Sequence, residues 1–147
     1  MSTYSFLDVV ASLVGPGGAV NLGQGAATSE EGITIEPAED IDTMTIGADG
    51  TPMHSLHANK SGTVTVRVLK TSPVNQKLAL MYAFQTASGS NHGQNTISIG
   101  NTATQDSITC QQVAFKRAPT ITYGKEGGMN EWSFNAGIID RTLGAAT

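Results

Sequence analysis

Strict alternation of apolar and polar residues is the feature that most constrains how this chain can fold. Residues 63–70 (TVTVRVLK) alternate three valines with polar residues. Successive side chains of a β-strand point to opposite faces of the sheet, so a period of two predicts a half-buried strand. We expect Val64, Val66 and Val68 to face a core, and the threonines and Arg67 to occupy the other face.

Shorter alternating segments recur along the chain, separated by turn sequences. The clearest turn is GADG at residues 47–50, because Asp-Gly supplies the positive φ angles that a tight turn needs. A phase change at Gln111 and Gln112 predicts a β-bulge. Residues 23–32 are small and polar and predict a loop, and an acidic connector is expected at 38–42. Eight to ten strands are expected, mainly within residues 3–14, 19–22, 33–36, 43–46, 63–70, 96–99, 107–116 and 131–138.

One helix is predicted at about residues 73–87. Ser72 suits the N-cap and Pro73 the first turn, and apolar residues follow at three- and four-residue intervals until Gln85 interrupts them. The fold class is therefore mainly β (α+β): an antiparallel β-sandwich or barrel with one flanking helix, in a single domain over residues 1–147. Within residues 131–138 we expect Trp132, Phe134, Ala136 and Ile138 to share one face of the strand. The expected core anchors are Val64, Val66, Val68, Leu78, Met81, Trp132 and Phe134.

Charge is distributed unevenly. Residues 1–50 contain eight acidic residues and no Lys or Arg, whereas all 8 basic residues come later, within a net charge of −4. Charged residues make up only 14% of the chain, which is low for a monomer with a solvated surface. This pattern argues against nucleic-acid binding through a basic N-terminal arm and favours self-association of one surface with another.

Residue types that could carry chemistry are scattered. His54 and His57 form a His-x-x-His pair without the intervening Glu of zinc hydrolases, so they and His92 are interpreted as surface histidines. The single cysteine, Cys110, lies in an alternating segment and is expected to be a buried thiol. No Gly-x-Ser-x-Gly or Gly-Lys-Ser/Thr motif occurs. We therefore predict no catalytic residue, cofactor or metal site.

Neither a secretory signal nor a membrane span is expected. The first 18 residues (MSTYSFLDVVASLVGPGG) lack the basic residues that open a signal peptide. No apolar run approaches the roughly 20 residues that a spanning helix needs. We expect a protein that is neither exported by that route nor inserted in a membrane.

Three segments carry a resemblance to a known family: MSTYSFLDVVASLVGPGG, the stretch from EEGITIEP to KTSPVN, and KEGGMNEWSFNAGIID. Together they closely resemble tail tube (inner tube) proteins of contractile-tailed bacteriophages. The most specific parts are residues 45–50, 61–75 and 126–132. The likeness spans nearly the whole chain.

This resemblance implies a structural virion protein with a β-sandwich or barrel and a helix on its flank. Six copies would form a ring whose strands line a pore, and rings would stack head to tail into the tail tube. The tube would surround the tape measure protein, lie inside the contractile sheath, contact baseplate and tail terminator proteins, and conduct double-stranded DNA. It would be assembled in the host cytoplasm and located in the virion tail.

The uneven charge suggests how copies could meet. We hypothesise that acidic loops of one copy contact basic residues of a neighbour at a ring or stacking surface. The acidic residues are Glu30, Glu31, Glu36, Glu39, Asp40 and Asp42, and the basic residues are Lys60, Lys116, Arg117 and Lys125. Two other classes remain: a soluble β-sandwich module that binds a ligand or carbohydrate, which predicts a monomer or small closed oligomer, and a hydrolase, which requires a cluster of polar residues.

Overall fold

The computed structural model describes residues 4–5, 8–22 and 28–144, without the side chains of residues 28–31. Nine strands and one helix make up this part of the chain. Their bounds are β1 Val9–Gly15, β2 Gly18–Asn21, β3 Thr28–Pro37, β4 Asp42–Ile46, β5 Pro52–Leu56, β6 Gly62–Leu69, α1 Val74–Thr86, β7 Asn95–Asn101, β8 Asp106–Arg117 and β9 Met129–Thr142. Within these residues, α1 is too short and too polar to cross a membrane.

Seven of the strands form one antiparallel sheet in the order β2-β1-β7-β8-β9-β6-β3, and β4 pairs with β5 in a separate hairpin. Ile33 and Ile35 of β3 line the same groove as Ile99 of β7 and Ile108 of β8. The sheet therefore curls until β3, at one margin, lies across this groove from β7 and β8. This architecture confirms the prediction of a mainly antiparallel β fold with one helix.

All seven expected core anchors are buried. Phe134 lies at the centre, with its ring centroid 4.8 Å from that of Phe115, which in turn meets Trp132 and Tyr82 edge to face. Edge-to-face and tilted contacts place the positive edge of one ring against the negative face of another. Aromatic packing thus joins α1 to β8 and β9.

A β-bulge bends β8 where the phase change predicted it. Cys110 and Val113 are both buried, Gln111 and Gln112 between them are both exposed, and Gln112 has a φ of 53°. In β9, opposite this point, the core-facing positions shift after Ala136 to Ile139. The expectation that Ile138 continues the core face was therefore wrong, because the extra residue at the bend turns the following side chains over.

The loop predicted over residues 23–32 is wrong for residues 28–32, because these belong to β3. Residues 23–27 lie outside the described residues. Thr28 pairs with Val68 and Ile33 pairs with Val66 across an irregular stretch. Regular pairing with β6 therefore covers residues 33–37, and within residues 28–32 only Thr28 has a partner in β6. Residues 52–56, which were not predicted as a strand, form β5 because they pair with β4.

The helix begins after Pro73, and the Ser72 hydroxyl accepts a hydrogen bond from the Val74 amide at 3.2 Å. Leu78 and Met81 face the core, as their spacing indicates. The indole Nε1 of Trp132 donates to Asn75 Oδ1 at 3.1 Å, which fastens the first turn of α1 to β9. The N-terminal half of the helix is thereby held against the sheet.

Gln85 does not interrupt the buried side of α1 but is fully buried itself. Its Nε2 donates to Asn95 Oδ1 at 2.7 Å and to the Pro16 carbonyl at 2.8 Å, and Asn95 Nδ2 donates to Gln85 Oε1 at 2.6 Å. A Cβ at Gly15 would lie 1.9 Å from Asn95 Oδ1, so only glycine leaves room for this pair. The amide pair joins the end of α1 to β7 and to the β1–β2 turn.

We predict that Gln85→Leu lowers the free energy of unfolding by about 1–3 kcal/mol, because the buried Asn95 amide and the Pro16 carbonyl lose their partner. Urea denaturation of the dispersed protein, followed by tryptophan fluorescence, measures this change. Gln76→Leu, at an exposed position of the same helix, is the matched control. Equal stability of the two variants would show that the amide pair contributes nothing.

Candidate assembly interface

The histidines do not form a metal or catalytic site. His54 Nδ1 lies 3.0 Å from Asp42 Oδ2, and His57 Nε2 lies 2.7 Å from Thr43 Oγ1, both as exposed cross-strand pairs within the β4–β5 hairpin. His92 is exposed in the turn before β7. Among residues 4–5, 8–22 and 28–144, no three His, Cys, Asp or Glu side chains are grouped so that they could hold a metal ion.

Cys110 is fully buried in β8. Burial raises the pKa of its thiol, because the thiolate would lose its hydration, and the charge of Arg141 lowers that pKa by a smaller amount. A neutral buried thiol is a poor nucleophile. Cys110 therefore acts as a small apolar core residue.

The β4–β5 hairpin projects from the sheet. Its turn is fixed by the Gly47 amide donating to the Thr51 carbonyl at 2.8 Å and by the Thr51 amide donating to Asp49 Oδ1 at 3.0 Å. Hydrogen bonds from the amide and from the side chain of Thr51 lower the pKa of the Asp49 carboxyl. In the described part of the chain, neither strand of the hairpin pairs with the seven-stranded sheet.

One face of this hairpin is mainly apolar, although it also carries the Asp42–His54 pair. Residues opposite each other in an antiparallel pair share a face, and Met44 pairs with His54, Ile46 with Pro52, and Asp42 with Leu56. We call the exposed side chains Met44, Ile46, Pro52 and Leu56 the hairpin face; Leu56 is 83% exposed. Met53 lies on the opposite face with threonines and Ser55.

A second exposed apolar group lies at the far end of β6. Leu69 pairs with Met129 there, and the loop before Met129 carries Ile121 and Tyr123, which is 88% exposed. We call Leu69, Ile121, Tyr123 and Met129 the loop patch. Lys70 holds the loop in place, since its Nζ donates to the Thr122 carbonyl and its amide donates to the Gly128 carbonyl at 3.0 Å.

Most of the described charged candidates form two groups, an acidic one near the hairpin and a basic one near the loop patch. Described acidic candidates lie at the base or in the strands of the hairpin: Glu36, Glu39, Asp40 and Asp42, with Asp49 at its tip. Glu39 accepts a hydrogen bond from Asn59 at 3.1 Å. Lys116, Arg117 and Lys125 lie at the end of β8 or in the following loop, with Lys70 beside them. This end also contains Glu126 and is basic in balance.

Three of the sequence candidates stand apart from this division. Lys60 lies at the acidic end, where it lines a groove with Glu39 and Arg141. Glu30 and Glu31 are in β3, and their side chains lie outside the described residues. Sequence reasoning missed the hairpin face, although the apolar residues on both sides of the GADG turn signalled it.

Both margins of the large sheet are open. β2 and β3 are its edge strands, and neither pairs with a further strand in the residues that the structure describes. Open edges expose unpaired amide and carbonyl groups that can pair with another chain. The neighbouring strands β1, β2 and β7 contain no Asp, Glu, Lys or Arg, and their outward face carries Ser12, Thr96 and Ser98 together with the exposed Val10 and Val14.

Comparisons with known proteins agree with this architecture. The family model described as Bacteriophage PhiTE tail tube protein matches residues 1–144. No curated protein sequence matches the chain.

Solved structures of similar fold come from contractile injection systems. A chain from the tube-terminating cap of the anti-feeding prophage is 11% identical, with a TM-score of 0.58 over 97% of this chain and 93% of its own. A chain from the sheath-tube complex of an extracellular contractile injection system is 10% identical, with a TM-score of 0.57 over 96% and 92%. One from the anti-feeding prophage baseplate is 9% identical, with a TM-score of 0.60 over 97% of each chain.

Proposed function

Because the chain belongs to the Bacteriophage PhiTE tail tube protein family, we propose that its copies form hexameric rings that stack head to tail into a hollow tail tube. This is a family of structural proteins and not of enzymes. The observation that best supports ring formation is the pair of open edges at β2 and β3. A ring covers such edges on every copy, which removes a template for aggregation. The relative from a 6-fold symmetrised baseplate supports the ring number.

The proposed tube works inside a larger particle. Relatives of the same fold come from a sheath-tube complex, a tube-terminating cap and a baseplate, which supports sheath, terminator and baseplate proteins as partners. The resemblance described above adds a tape measure protein inside the growing tube. Assembly takes place in the host cytoplasm, and the finished tube is part of the virion tail.

We assign the outward face of β1, β2 and β7 to the lumen through which double-stranded DNA passes. Cationic surfaces bind DNA by releasing its condensed counterions, and this binding would hold the genome in the tube. Hydroxyl-bearing strands without charged residues avoid that attraction. The described acidic candidates Glu36, Glu39, Asp40 and Asp42 lie at the hairpin end and not on these strands.

The separation of charge supports a contribution from electrostatics to stacking. The acidic hairpin end of one copy would approach the basic end of the next, with Lys116, Arg117 and Lys125 as the cationic partners. Contacts between exposed charges are individually weak, so their effect comes from repetition around the ring.

Negative-stain electron microscopy of the purified protein tests the proposed function. We expect rings and hollow tubes at high protein concentration. Monodisperse small particles at the same concentration would contradict the proposal and favour a ligand- or carbohydrate-binding module.

Raising the salt concentration tests the electrostatic contribution. We expect mean tube length to fall between 0.1 M and about 1 M NaCl, because the screening length drops from about 10 Å to about 3 Å. Tube length is measured in micrographs of matched samples. Tubes whose length is independent of salt would show that charge contributes nothing to stacking.

Cysteine labelling tests the lumen assignment. Ser98→Cys places a thiol on the outward face of β7, and Gln76→Cys places one on the exposed side of α1, whereas the native Cys110 is buried. In tubes we expect a bulky polyethylene glycol maleimide to modify position 76 but not position 98. Both variants should react when dispersed. Equal modification of both positions in tubes would overturn the assignment.

A further inference from the structure

The helix α1 carries apolar side chains on its exposed side as well as on its buried side. Leu80 and Phe84, one turn apart, are 64% and 52% exposed. We call these two side chains the helix ridge. The core already receives Val74, Leu78 and Met81 from the same helix, so packing within one copy does not require the ridge to be apolar.

The helix ridge lies beside the open edge of β2. One flank of α1 faces β8, where Tyr82 packs edge to face on Phe115. Residues two apart on a helix point in nearly opposite directions, so Phe84 belongs to the other flank. There its ring lies against the β1–β2 turn, and a Cβ at Gly17 would be 3.3 Å from Phe84 Cδ1. Leu80 shares this flank, because it precedes Phe84 by one turn.

By itself β2 offers little to a contact between copies. It has four residues, GAVN, and its one large side chain, Val20, is buried in the core of its own copy. Backbone pairing along so short an edge provides few hydrogen bonds. Stable interfaces bury apolar and aromatic side chains at their centre. The helix ridge supplies this apolar area next to β2, and we call β2 and the ridge together the β2 margin.

Charge indicates which surface of a second copy suits the β2 margin. The only charged residue of α1 is Lys77, and β2 has none. The other open edge of the sheet, β3, contains Glu30, Glu31 and Glu36 and no Lys or Arg. Two β3 edges brought together would oppose acid to acid, whereas the β2 margin meets a β3 edge without repulsion.

The geometry of closure selects the same pairing. β2 and β3 are the two outermost strands of one sheet, so they are different surfaces of each copy. Contact of the β2 margin with the β3 edge of the next copy is heterologous, and rotation about one axis closes it into a ring. Contact of two β2 margins would give a dimer that leaves both β3 edges open. The heterologous contact covers every edge.

We propose that the helix ridge is the apolar part of the contact between neighbours within one ring, where the β3 edge of the adjacent copy covers it. The inference rests on the proposed ring formation and gives α1 a part in it. Leu80 and Phe84 become buried when the ring closes. A ridge that stayed open in the ring would instead be available to a sheath protein.

The variant Leu80→Glu tests this contact, since it places a charge in the ridge and keeps a good helix former. Ala79→Glu adds the same charge at an exposed position about 100° around the helix and is the matched control. The protein concentration at which half of the chains are in rings, measured by sedimentation velocity, should rise about tenfold or more for Leu80→Glu. It should stay near wild type for Ala79→Glu.

The outcomes separate this inference from the proposed function. Wild-type rings together with unimpaired Leu80→Glu rings would overturn the ridge contact alone, and so would an equal loss of rings in both variants. Leu80→Glu rings that form normally but do not stack would also overturn it, because the ridge would then act between rings. A wild-type protein that forms neither rings nor tubes would reject both proposals.

Thiol protection tests the burial of the ridge with a milder substitution. Leu80→Cys and Ala79→Cys each add one thiol to a chain whose native Cys110 is buried. In isolated rings we expect a maleimide to modify position 80 at least about tenfold more slowly than position 79, because access requires the ring to open. Both should react at similar rates in dispersed protein. Equal rates in rings, or protection of position 80 in tubes only, would overturn the contact.

Chemical cross-linking identifies the covering surface. Protein carrying Leu80→Cys is mixed with protein carrying Thr34→Cys, at an exposed position of β3, assembled into rings and treated with a flexible bismaleimide. We expect mainly the mixed dimer on a denaturing gel, and less of it when Ala79→Cys replaces Leu80→Cys. Absence of the mixed dimer, or predominant cross-linking of Leu80→Cys to itself, would overturn the assignment to the β3 edge.

Discussion

The pairing of β9 with two neighbours is the interaction on which the rest of the structure depends. Residues 129–136 of β9 pair with β6 on one side, and residues between 133 and 142 pair with β8 on the other. Trp132 and Phe134 bring the aromatic cluster into the core from this strand. Because the register is fixed on both sides, the hairpin before β6 and the loop after β8 lie at opposite ends of one rigid element.

Exposed apolar side chains and charges lie on different parts of this arrangement. The hairpin face and the loop patch expose apolar side chains at the two ends of β6. In the proposed tube, the acidic residues at one end and the basic residues at the other would favour head-to-tail over symmetric contact. The uncharged strands β1, β2 and β7 would face the DNA in the proposed lumen.

The sequence predicted much of the fold and little of the site. Period-two alternation predicted the burial of the β6 valines, Trp132 and Phe134. A change of phase in the sequence predicted the bulge at Gln112. Gln85 could not be predicted as a core residue, because a buried amide is tolerated only when a partner such as Asn95 arrives from elsewhere in the chain.

By itself the sequence determined the strand-rich class, the single helix, the uneven charge and the absence of a recognisable catalytic motif, because these follow from local periodicity and residue type. Only the tertiary structure decided that most of the described acidic and basic candidates separate to opposite ends, and that a hairpin with one mainly apolar face extends from the acidic end. The physical reason is that strand register, which brings distant residues to one level of a sheet, is fixed by long-range backbone pairing and core packing that no local pattern encodes.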